Sequence, residues 1–424
     1  MSEHETLWQE LGLDVKLHQE LLKSISRSFE QTVGAQQNRP EAMAYFDRVI
    51  HESHGNRVAE LVEGKSQGKK VVGTFCIYVP DEIVMALGLV PLPLCGGTNF
   101  SVPYAEKVFP RDICPLVKST LGLAFSKTCP YAPVKSLAVG ETTCDAKKKT
   151  WEFLAGRVNF HTMELPQKKE TIDAQLWREA VVEFRDKLEA LAGQKVESAK
   201  LASAIRVMNE KRRALQELAL LRKADPPPIS GLDALVVMQG ALNDEPVRFT
   251  ENVRRLNSEL RERTAAGISP FPKGTKRVVV SGCPAVMGNW KLHSLIETCG
   301  AAVVHDETCT GSRYFEHLVD EAAQSLEGQI AAIADRYLKI NCACFTPNQD
   351  RIEGVVGKAR EYGAQGVIEY VLQTCHGYNL EAIRVEAALK EAGIPSLKVV
   401  TDYAEEDSAQ IRTRIEAFLE TLKG

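Results

Sequence analysis

The stretch GVIEYVLQTCHGYNLEAIRVEAALKEAGIPSLKVVTD, residues 366–402, decides the fold class of this 424-residue chain. It opens with GVIEYVLQTC, an apolar run with the length and β-branched content of a buried strand. The next segment, YNLEAIRVEAALKEAG, has helical character and ends in glycine. SLKVVTD then reads as a second strand. Since a strand, a helix and a strand in this order build a parallel pair, the stretch predicts an α/β fold.

The same alternation extends outward from this stretch in both directions. RVVVSG and AAVVHDETC are predicted strands of the same half, and WKLHSLIETCG lies between them as a helix. Nearer the N-terminus, the predicted strands are KKVVGTFCIYV, LVPLPLC and VKSLAVGETTCD, each followed by a helical segment. The sequence therefore predicts two Rossmann-like or flavodoxin-like parallel-sheet domains with added helical segments. The expected divisions are a helical N-terminal segment (1–70), a first α/β domain (71–170), a helical insert or cap (171–265) and a second α/β domain (266–424).

Composition and charge argue against a nucleic-acid-binding, secreted or membrane-spanning protein. A net charge of −4 gives no electrostatic case for binding nucleic acid or an anionic membrane surface. The N-terminus MSEHETLWQELGLD lacks the basic and apolar regions of a secretory signal, and the apolar run at 83–94 is too short to span a bilayer. We therefore expect a soluble, cytoplasmic protein. In a reducing cytosol, its eleven cysteines are expected to be buried, metal-binding or catalytic rather than disulfide-bonded.

Cysteines stand where several predicted strands end. Cys95 follows LVPLPL, Cys144 follows SLAVGETT, Cys309 follows AAVVHDET and Cys375 follows GVIEYVLQT. In open α/β sheets, ligands and cofactors bind at the carboxyl ends of strands. Thiolate selects iron–sulfur clusters, zinc and copper(I). We therefore predict a cysteine-ligated iron–sulfur centre between the two α/β domains.

The remaining cysteines differ in their local context. Cys114 opens a predicted helix, whose N-terminus favours a thiolate, and Cys129 lies in a proline-rich loop. Cys342 and Cys344 form a CxC pair, so the close CxxC pairs of zinc ribbons and the ferredoxin cysteine run are both missing. Two glycines after Cys95 are expected to let a bulky ligand approach the backbone. We assign Cys76, inside a predicted strand, and Cys299, late in a helix, to packing, and leave Cys283 undecided.

Four other side chains are candidates for moving protons at such a site. Glu141, Glu307 and Glu369 lie near predicted strand ends, and His376 directly follows Cys375. The alternative for each is a hydrogen-bonded or solvated side chain. The lysine run 147–149 is expected to form a helix surface. Neither GxGxxG nor a Walker motif occurs, so the chain has little support for binding ATP or NAD itself.

Over nearly its whole length, the chain resembles the 2-hydroxyacyl-CoA dehydratase and benzoyl-CoA reductase superfamily. GTFCIYVPDEIVMALGLVPLPLCGG is similar to the N-terminal signature of that family, and ICPLVKSTLG to its second cysteine motif. VGETTCDAKKK resembles its strand-end turn, and residues 366–403 its C-terminal signature. In that family three cysteines hold a four-iron cubane. Matched by motif, they are Cys95, Cys114 and Cys375.

The chain carries more thiols than one cubane needs, and it most resembles the double-cubane cluster proteins of anaerobes. That resemblance implies two bridged cubanes held by six cysteines, a homodimer and an ATP-hydrolysing iron–sulfur activator protein that supplies electrons for reducing a small molecule. Cys344 is an alternative to Cys342. Two other functions stay open, a 2-hydroxyacyl-CoA dehydratase subunit with a single 4Fe-4S cubane and a non-enzymatic electron-transfer protein. Seven thiols compete for the six positions: Cys95, Cys114, Cys129, Cys144, Cys309, Cys342 and Cys375.

Overall fold

The computed structural model describes residues 4–422 and contains two separate β-sheets of four strands each. All neighbouring strands in both sheets run parallel. The prediction of an α/β fold with two parallel sheets is therefore confirmed. The strands are β1 (Val71–Thr74), β2 (Val90–Pro93), β3 (Leu137–Glu141), β4 (Phe160–Met163), β5 (Lys276–Gly282), β6 (Ala301–Glu307), β7 (Gly366–Leu372) and β8 (Ser396–Thr401).

Helices account for most of the remaining described chain, with a short 3₁₀ turn at Asn99–Ser101. None of the helices within residues 4–422 has both the length and the apolar character that crossing a bilayer requires. They are α1 (Glu5–Glu10), α2 (Val15–Thr32), α3 (Met43–His51), α4 (Asn56–Ser66), α5 (Asp81–Ala86), α6 (Val102–Ala105), α7 (Pro115–Phe125), α8 (Tyr131–Val134), α9 (Asp145–Ala155), α10 (Thr171–Ala192), α11 (Ser198–Leu221), α12 (Gly231–Asn243), α13 (Pro246–Ala266), α14 (Lys291–Thr298), α15 (Ser312–Phe315), α16 (Leu326–Leu338), α17 (Gln349–Glu361), α18 (His376–Glu391) and α19 (Ser408–Thr421).

The two sheets share one strand order. The first runs β2-β1-β3-β4 and the second β6-β5-β7-β8, so the first strand of each half lies between the second and the third. In such a sheet the carboxyl ends of the inner strands form the edge where ligands bind. Both sheets therefore present equivalent edges for a site.

The predicted middle helices, α10 to α13, pack against both halves. Trp177 of α10 donates its indole N–H to the carbonyl of Ala334 in α16 at 3.0 Å. On α11, Arg212 forms a fully buried ion pair with Glu82 of α5 at 2.7 Å. Because α5 follows β1 and α16 follows β6 in the chain, these helices tie the two halves together.

Two local predictions about the first sheet were wrong. The segment Phe160–Met163 forms a fourth strand that the sequence analysis missed. It is short and only partly buried, so it carries little periodic signal. The predicted strand containing Cys76 ends earlier, at Thr74, where its pairing with β2 also ends. Cys76 consequently lies in the turn after the strand rather than within it.

Candidate metal centre

A cavity of about 690 Å³ lies where the carboxyl ends of the two sheets face each other. Residues following β1, β2 and β3 line it from one side, and residues following β5, β6 and β7 from the other. Nine of the eleven cysteines contribute to its walls. They are Cys76, Cys95, Cys114, Cys144, Cys283, Cys309, Cys342, Cys344 and Cys375.

Three of these thiols occupy the residue that immediately precedes a helix. Cys114 is the N-cap of α7, Cys144 the N-cap of α9 and Cys375 the N-cap of α18. Free backbone N–H groups and the positive end of the helix dipole stabilise negative charge at this position. The backbone amides of Leu116 and Val117 lower the pKa of Cys114, against the larger effect of burial. The N-cap position lowers the cost of a thiolate at these three sulfurs, although burial outweighs it at Cys114 and Cys144, whose pKa values are raised.

Burial opposes ionisation at several of the thiols. It raises the pKa of Cys95 to about 11, that of Cys114 to about 12 and that of Cys309 to about 11. A coordinated metal removes this penalty because it displaces the thiol proton and neutralises the sulfur charge. The walls are therefore better suited to metal-bound sulfurs than to free thiols.

Two thiol pairs depart from this trend. A hydrogen bond from Cys344 lowers the pKa of Cys342 to about 6, assisted by the Arg313 guanidinium and the Tyr378 hydroxyl. The Tyr378 oxygen lies 3.6 Å from the Cys342 sulfur. A hydrogen bond from Cys283 likewise lowers the pKa of Cys375. In each pair one sulfur is prepared as a thiolate while its neighbour keeps the proton.

Two buried cations compensate the negative charge that the thiolates would bring. Lys147 lines the cavity and forms an ion pair with Glu141 at 2.5 Å. Arg313 donates to the sulfur of Cys309 at 3.9 Å and pairs with Glu307 at 2.5 Å. Burying a cation is costly unless it faces negative charge. Their positions match a cavity that holds an anionic group.

The prediction that Lys147 belongs to a helix surface was therefore wrong. Its amine points inward and also donates to the carbonyl of Phe75 at 3.3 Å. Its neighbours Lys148 and Lys149 form the expected surface pairs, with Asp145 and Glu152, at 2.8 Å each. On a helix, successive residues point about 100° apart, so one lysine of a run can face the core.

Two cysteines lie away from the cavity. The sulfur of Cys129 faces the amides of Tyr131 and Ala132 and the side chain of Lys135. Cys299 ends α14 and accepts a hydrogen bond from Arg412 at 3.7 Å, which agrees with its assignment to packing. The structure thus brings together six of the seven predicted ligands and leaves Cys129 apart.

Cys76, Cys283 and Cys344 join the cavity in addition to these six. Cys76 follows the end of β1 in a turn that lines the cavity, and it also packs against a hydrophobic core cluster, so its assignment to packing stays a prediction. Cys283 follows Gly282, whose φ of +135° and contact with the Tyr370 carbonyl leave no space for a side chain. This sharp turn directs Cys283 toward Cys375, where its sulfur accepts the Leu372 N–H at 3.4 Å.

The two glycines after Cys95 allow close packing. A side chain at Gly96 would overlap Leu123 of the same half, and one at Gly97 would lie 2.8 Å from Val286 of the other half. The amide of Gly97 also donates to the carbonyl of Met287 at 3.1 Å. Gly97 therefore lets segments of the two halves pack together, and the expected approach of a ligand to these glycines stays a prediction.

The four predicted proton-relay residues occupy different surroundings. His376 lines the cavity and is exposed. Glu141 is buried behind the wall and bound to Lys147. Glu307 pairs with Arg313 and accepts from Ser281 at 2.7 Å, so its oxygens are occupied. Glu369 lies within β7, away from the cavity wall, and burial raises its pKa to about 7.

The sequence analysis missed three side chains that shape the site. Arg313 and Tyr378 follow Cys309 and Cys375 by four and three residues, and Lys147 follows Cys144 by three. That spacing places each residue within the first turn of the helix after the cysteine, where its side chain can return to the sulfur. A search for cations within one turn of each strand-end thiol would have found Arg313 and Lys147.

Within the described residues 4–422, no three His, Cys, Asp or Glu side chains converge closely enough to hold one metal ion. The cavity thiols instead surround a larger space. Soft sulfur donors, backbone and guanidinium N–H groups aimed at sulfur, and nearby cations are the features that iron–sulfur clusters use. The residues present fit such a group.

Comparison with known proteins agrees with the architecture. The family model described as 2-hydroxyglutaryl-CoA dehydratase, D-component, matches residues 76–422. The putative dehydratase subunit YjiM of Escherichia coli (strain K12) is 34% identical over 386 residues, covering 89% of this chain and 98% of the relative. The (R)-phenyllactyl-CoA dehydratase beta subunit of Clostridium sporogenes is 26% identical over 360 residues, covering 84% of this chain and 92% of the relative.

A reductase component is also among the relatives. One of the benzoyl-CoA reductase subunits of Thauera aromatica is 22% identical over 364 residues, covering 84% of this chain and 91% of the relative. The family match spans most of the chain, including the elements that carry all nine cavity cysteines. The chain therefore belongs to the 2-hydroxyglutaryl-CoA dehydratase D-component family, within the superfamily of 2-hydroxyacyl-CoA dehydratase and benzoyl-CoA reductase enzyme subunits.

Proposed function

We propose that this chain is a low-potential reductase of small molecules that holds a double-cubane iron–sulfur cluster. Its electrons come from a separate ATP-hydrolysing iron–sulfur activator, and the active form is a homodimer. The observation that carries the proposal is the convergence of nine thiols from both halves on one cavity, more than a single cubane uses. The six ligands are Cys95, Cys114, Cys144, Cys309, Cys342 and Cys375.

The choice of these six follows from position. Each is one of the seven cysteines predicted from sequence, and each lines the cavity, whereas Cys129 does not. Cys342 is preferred over Cys344 because the hydrogen bond between them lowers the pKa of Cys342 and raises that of Cys344. Cys283 is fully buried behind Cys375 and serves it as a hydrogen-bond partner.

When bound, the cluster supplies single electrons at low potential to a substrate in the cavity. The protein holds the ligating sulfurs, and Lys147 and Arg313 limit the build-up of negative charge around them. At the thiol end of the cavity, Cys144 and His376 are both exposed at the protein surface. Their exposure supports electron entry at the N-termini of α9 and α18. His376 is the one predicted proton relay that faces the cavity, and it is placed to pass protons inward.

Metal analysis of anaerobically purified protein tests the proposal. Two cubanes require about eight irons and a matching amount of acid-labile sulfide per chain. About four irons per chain would exclude the double cubane. Alanine at each of the six proposed ligands should lower the iron content, while Cys129→Ala, the matched control, should leave it unchanged. Reduction of a small molecule should require both the activator and ATP.

A dehydratase subunit with one cubane is the second candidate. It is favoured by the dehydratase names of the relatives and by the joint presence of Cys95, Cys114 and Cys375 in the cavity wall. This function requires binding of an acyl-CoA thioester and a distinct partner subunit. Calorimetry with a short-chain 2-hydroxyacyl-CoA separates the candidates, because the reductase is expected to show no binding.

A further inference from the structure

The cavity continues beyond the thiols as an arm along the free edge of the first sheet. This edge is β2, which pairs only with β1. All four of its residues line the arm, as do Met85 of α5 and Leu242 of α12. The walls of this arm are consequently mostly apolar, unlike the thiol end of the cavity.

Proline keeps this edge unpaired. Pro91 and Pro93 have no backbone N–H, so another strand cannot complete a hydrogen-bonded ladder against β2. Both prolines lie on an edge strand whose pairing with β1 is unbroken, so they leave the sheet intact and the outer side of β2 without the N–H groups that a further strand needs. The geometry of the edge therefore suits a passage for a ligand better than a surface for strand addition.

The far end of the arm reaches solvent among charged residues. Its walls there include Arg57, Glu60, Lys69, Asp244 and Glu245, and the Glu60 side chain is 42% exposed. Glu60 pairs with Arg57 at 2.8 Å.

The carboxylates at this mouth are already engaged. Arg248 of α13 bridges Glu60, at 3.2 Å, to Asp244, at 2.5 Å. Glu245 accepts the amides of Val247 and Arg248 at the start of α13. Of the five charged lining residues at the mouth, two are cations and three are carboxylates, and Arg248 adds a third cation that pairs with two of the carboxylates. The mouth therefore offers little attraction for a polyanion such as the nucleotide part of a thioester.

Charge inside the arm is balanced as well. Lys211 lies over the ring of Tyr314 at 5.3 Å and donates to the carbonyl of Ala241. Asp81 lines the same region, and its charge interacts with that of Lys211. A neutral molecule can pass these two groups without changing their electrostatic balance, whereas a charged one would be attracted by one and repelled by the other.

We infer that this arm is the entry route of the substrate, which is a small uncharged molecule that passes along β2 to the thiols. The inference rests on the proposed reductase function and specifies its substrate class. In this arrangement, electrons and substrate enter the protein at different places. Electrons enter beside Cys144, and substrate enters beside Glu60. Leu242 and Met85 are the side chains whose size sets the width of the passage.

Two oxidants of different size and charge test the route in the reduced, cluster-loaded protein. Dioxygen is small and neutral, whereas ferricyanide is a bulky trianion that accepts electrons at the surface. Leu242→Trp and Met85→Trp should each slow oxidation by dioxygen about tenfold in stopped-flow measurements and leave the ferricyanide rate unchanged. Leu220→Trp, at an exposed leucine on α11, is the matched control and should change neither rate.

Unchanged dioxygen rates in both tryptophan variants, or an equal fall in both oxidation rates, would overturn the route. Xenon in pressurised crystals gives a second measurement that does not depend on iron. Ordered xenon beside Leu92 and Leu242 in the wild type, lost in Leu242→Trp, supports the passage. Its absence from the wild-type arm would contradict the passage even where metal analysis upholds the cluster.

Discussion

The two halves of the molecule have the same strand order but are built from different strands. The first sheet has strands of four or five residues, with two prolines in its edge strand. The second has strands of six or seven residues, three of them buried along almost their whole length. Longer buried strands bury more apolar surface. The sheet of the second half therefore contributes more buried apolar surface than the sheet of the first half, whose edge strand β2 carries the two prolines.

Buried charge shows the same contrast. In the second half, Glu307 has two guanidinium partners, Arg313 at 2.5 Å and Arg351 at 3.4 Å. In the first half, Glu141 has one cation among the described residues, Lys147, together with the Thr143 hydroxyl at 3.1 Å, and its second carboxylate oxygen is buried without a hydrogen-bond partner. One half thus holds its carboxylate in a network and the other in a single pair. This difference can be tested by removing the cations.

Removal of Arg313 should have the largest effect on stability. Its guanidinium bonds both oxygens of Glu307, the carbonyl of Gly282 and the hydroxyl of Tyr378. Arg313→Met would leave several buried acceptors unpaired, so we expect the free energy of unfolding to fall by about 5 kcal/mol. Anaerobic chemical denaturation measures this. Arg178→Met, at an exposed ion pair with Asp335, is the control and should cost under about 1 kcal/mol.

Lys147→Met should cost less, about 3 kcal/mol, because a single ion pair is lost. The carboxylate of Glu141 would then be buried with no cation, so Lys147→Met combined with Glu141→Gln should recover part of the loss. Lys149→Met on the exposed face of the same helix is the matched control. A loss equal to that of Arg313→Met would show that the two halves do not differ in how their charges are supported.

The sequence alone predicts both sheets and most of the cysteines that line the cavity. The alternation of apolar runs and helical segments predicts both sheets because buried parallel strands are continuous apolar stretches. Cysteines shortly after such runs reach one edge, which is why Cys95, Cys144, Cys309 and Cys375 meet there. Cys114 and Cys342 reach the same cavity from the ends of α7 and α16. Cys129 precedes a strand rather than following one, and the structure leaves it outside the cavity.

The remaining features depend on contacts that sequence order does not encode. Short strands such as β4 have too little burial to show a period. The inward turn of Lys147 depends on Glu141, which lies on another element, and the approach of Cys283 to Cys375 depends on the turn at Gly282. Strand-end position predicts which residues share an edge, but tertiary packing decides which of them pair.

One buried group in each half should contribute a pH dependence of stability, and the two contributions have opposite signs. Burial among the N-terminal helices lowers the pKa of His54 to about 3, from an ordinary value of 6.5. Between these two pKa values the unfolded chain binds more protons than the folded chain. The stabilisation that follows is therefore complete above about pH 6.5 and is lost as the pH falls. We expect the free energy of unfolding to decrease by about 2 to 4 kcal/mol over this window.

His54→Phe should flatten this acid dependence while keeping the ring stacked near His18 at about the original 5.2 Å. Equilibrium unfolding at a series of pH values gives the slope directly. His51→Phe, at an exposed histidine on the same segment, should leave the slope as it is in the wild type. An unaltered acid slope in His54→Phe would assign the loss to other groups.

Glu297 should give the opposite slope in the second half. Burial raises its pKa to about 7, although it accepts the amides of Gly231 and Leu232 at the start of α12. The folded chain therefore binds more protons than the unfolded chain between about pH 4.5 and 7, so stability falls as the pH rises through this window. We expect the free energy of unfolding to fall by about 1 to 3 kcal/mol as the pH rises through this window. Glu297→Gln should remove the slope, and Glu416→Gln serves as the control.

The smallest expected effect concerns the thiol behind Cys375. On the first half, the Cys95 thiol donates to the carbonyl of Phe75 at 3.3 Å, and this bond is lost once the sulfur binds metal. On the second half, Cys283 can donate to a metal-bound Cys375 because the Leu372 N–H supports its sulfur. Hydrogen bonds to ligand sulfurs raise the reduction potential of a cluster.

Cys283→Ala should therefore keep the full iron content and make the cluster potential more negative. One hydrogen bond of about 1 kcal/mol corresponds to about 40 mV for a one-electron couple. Cys283→Ser retains a donor and should stay near the wild-type potential in a redox titration followed by electron paramagnetic resonance. Loss of iron in Cys283→Ala would instead make Cys283 a ligand, and the two halves would then share the metal differently from the proposed six-cysteine set.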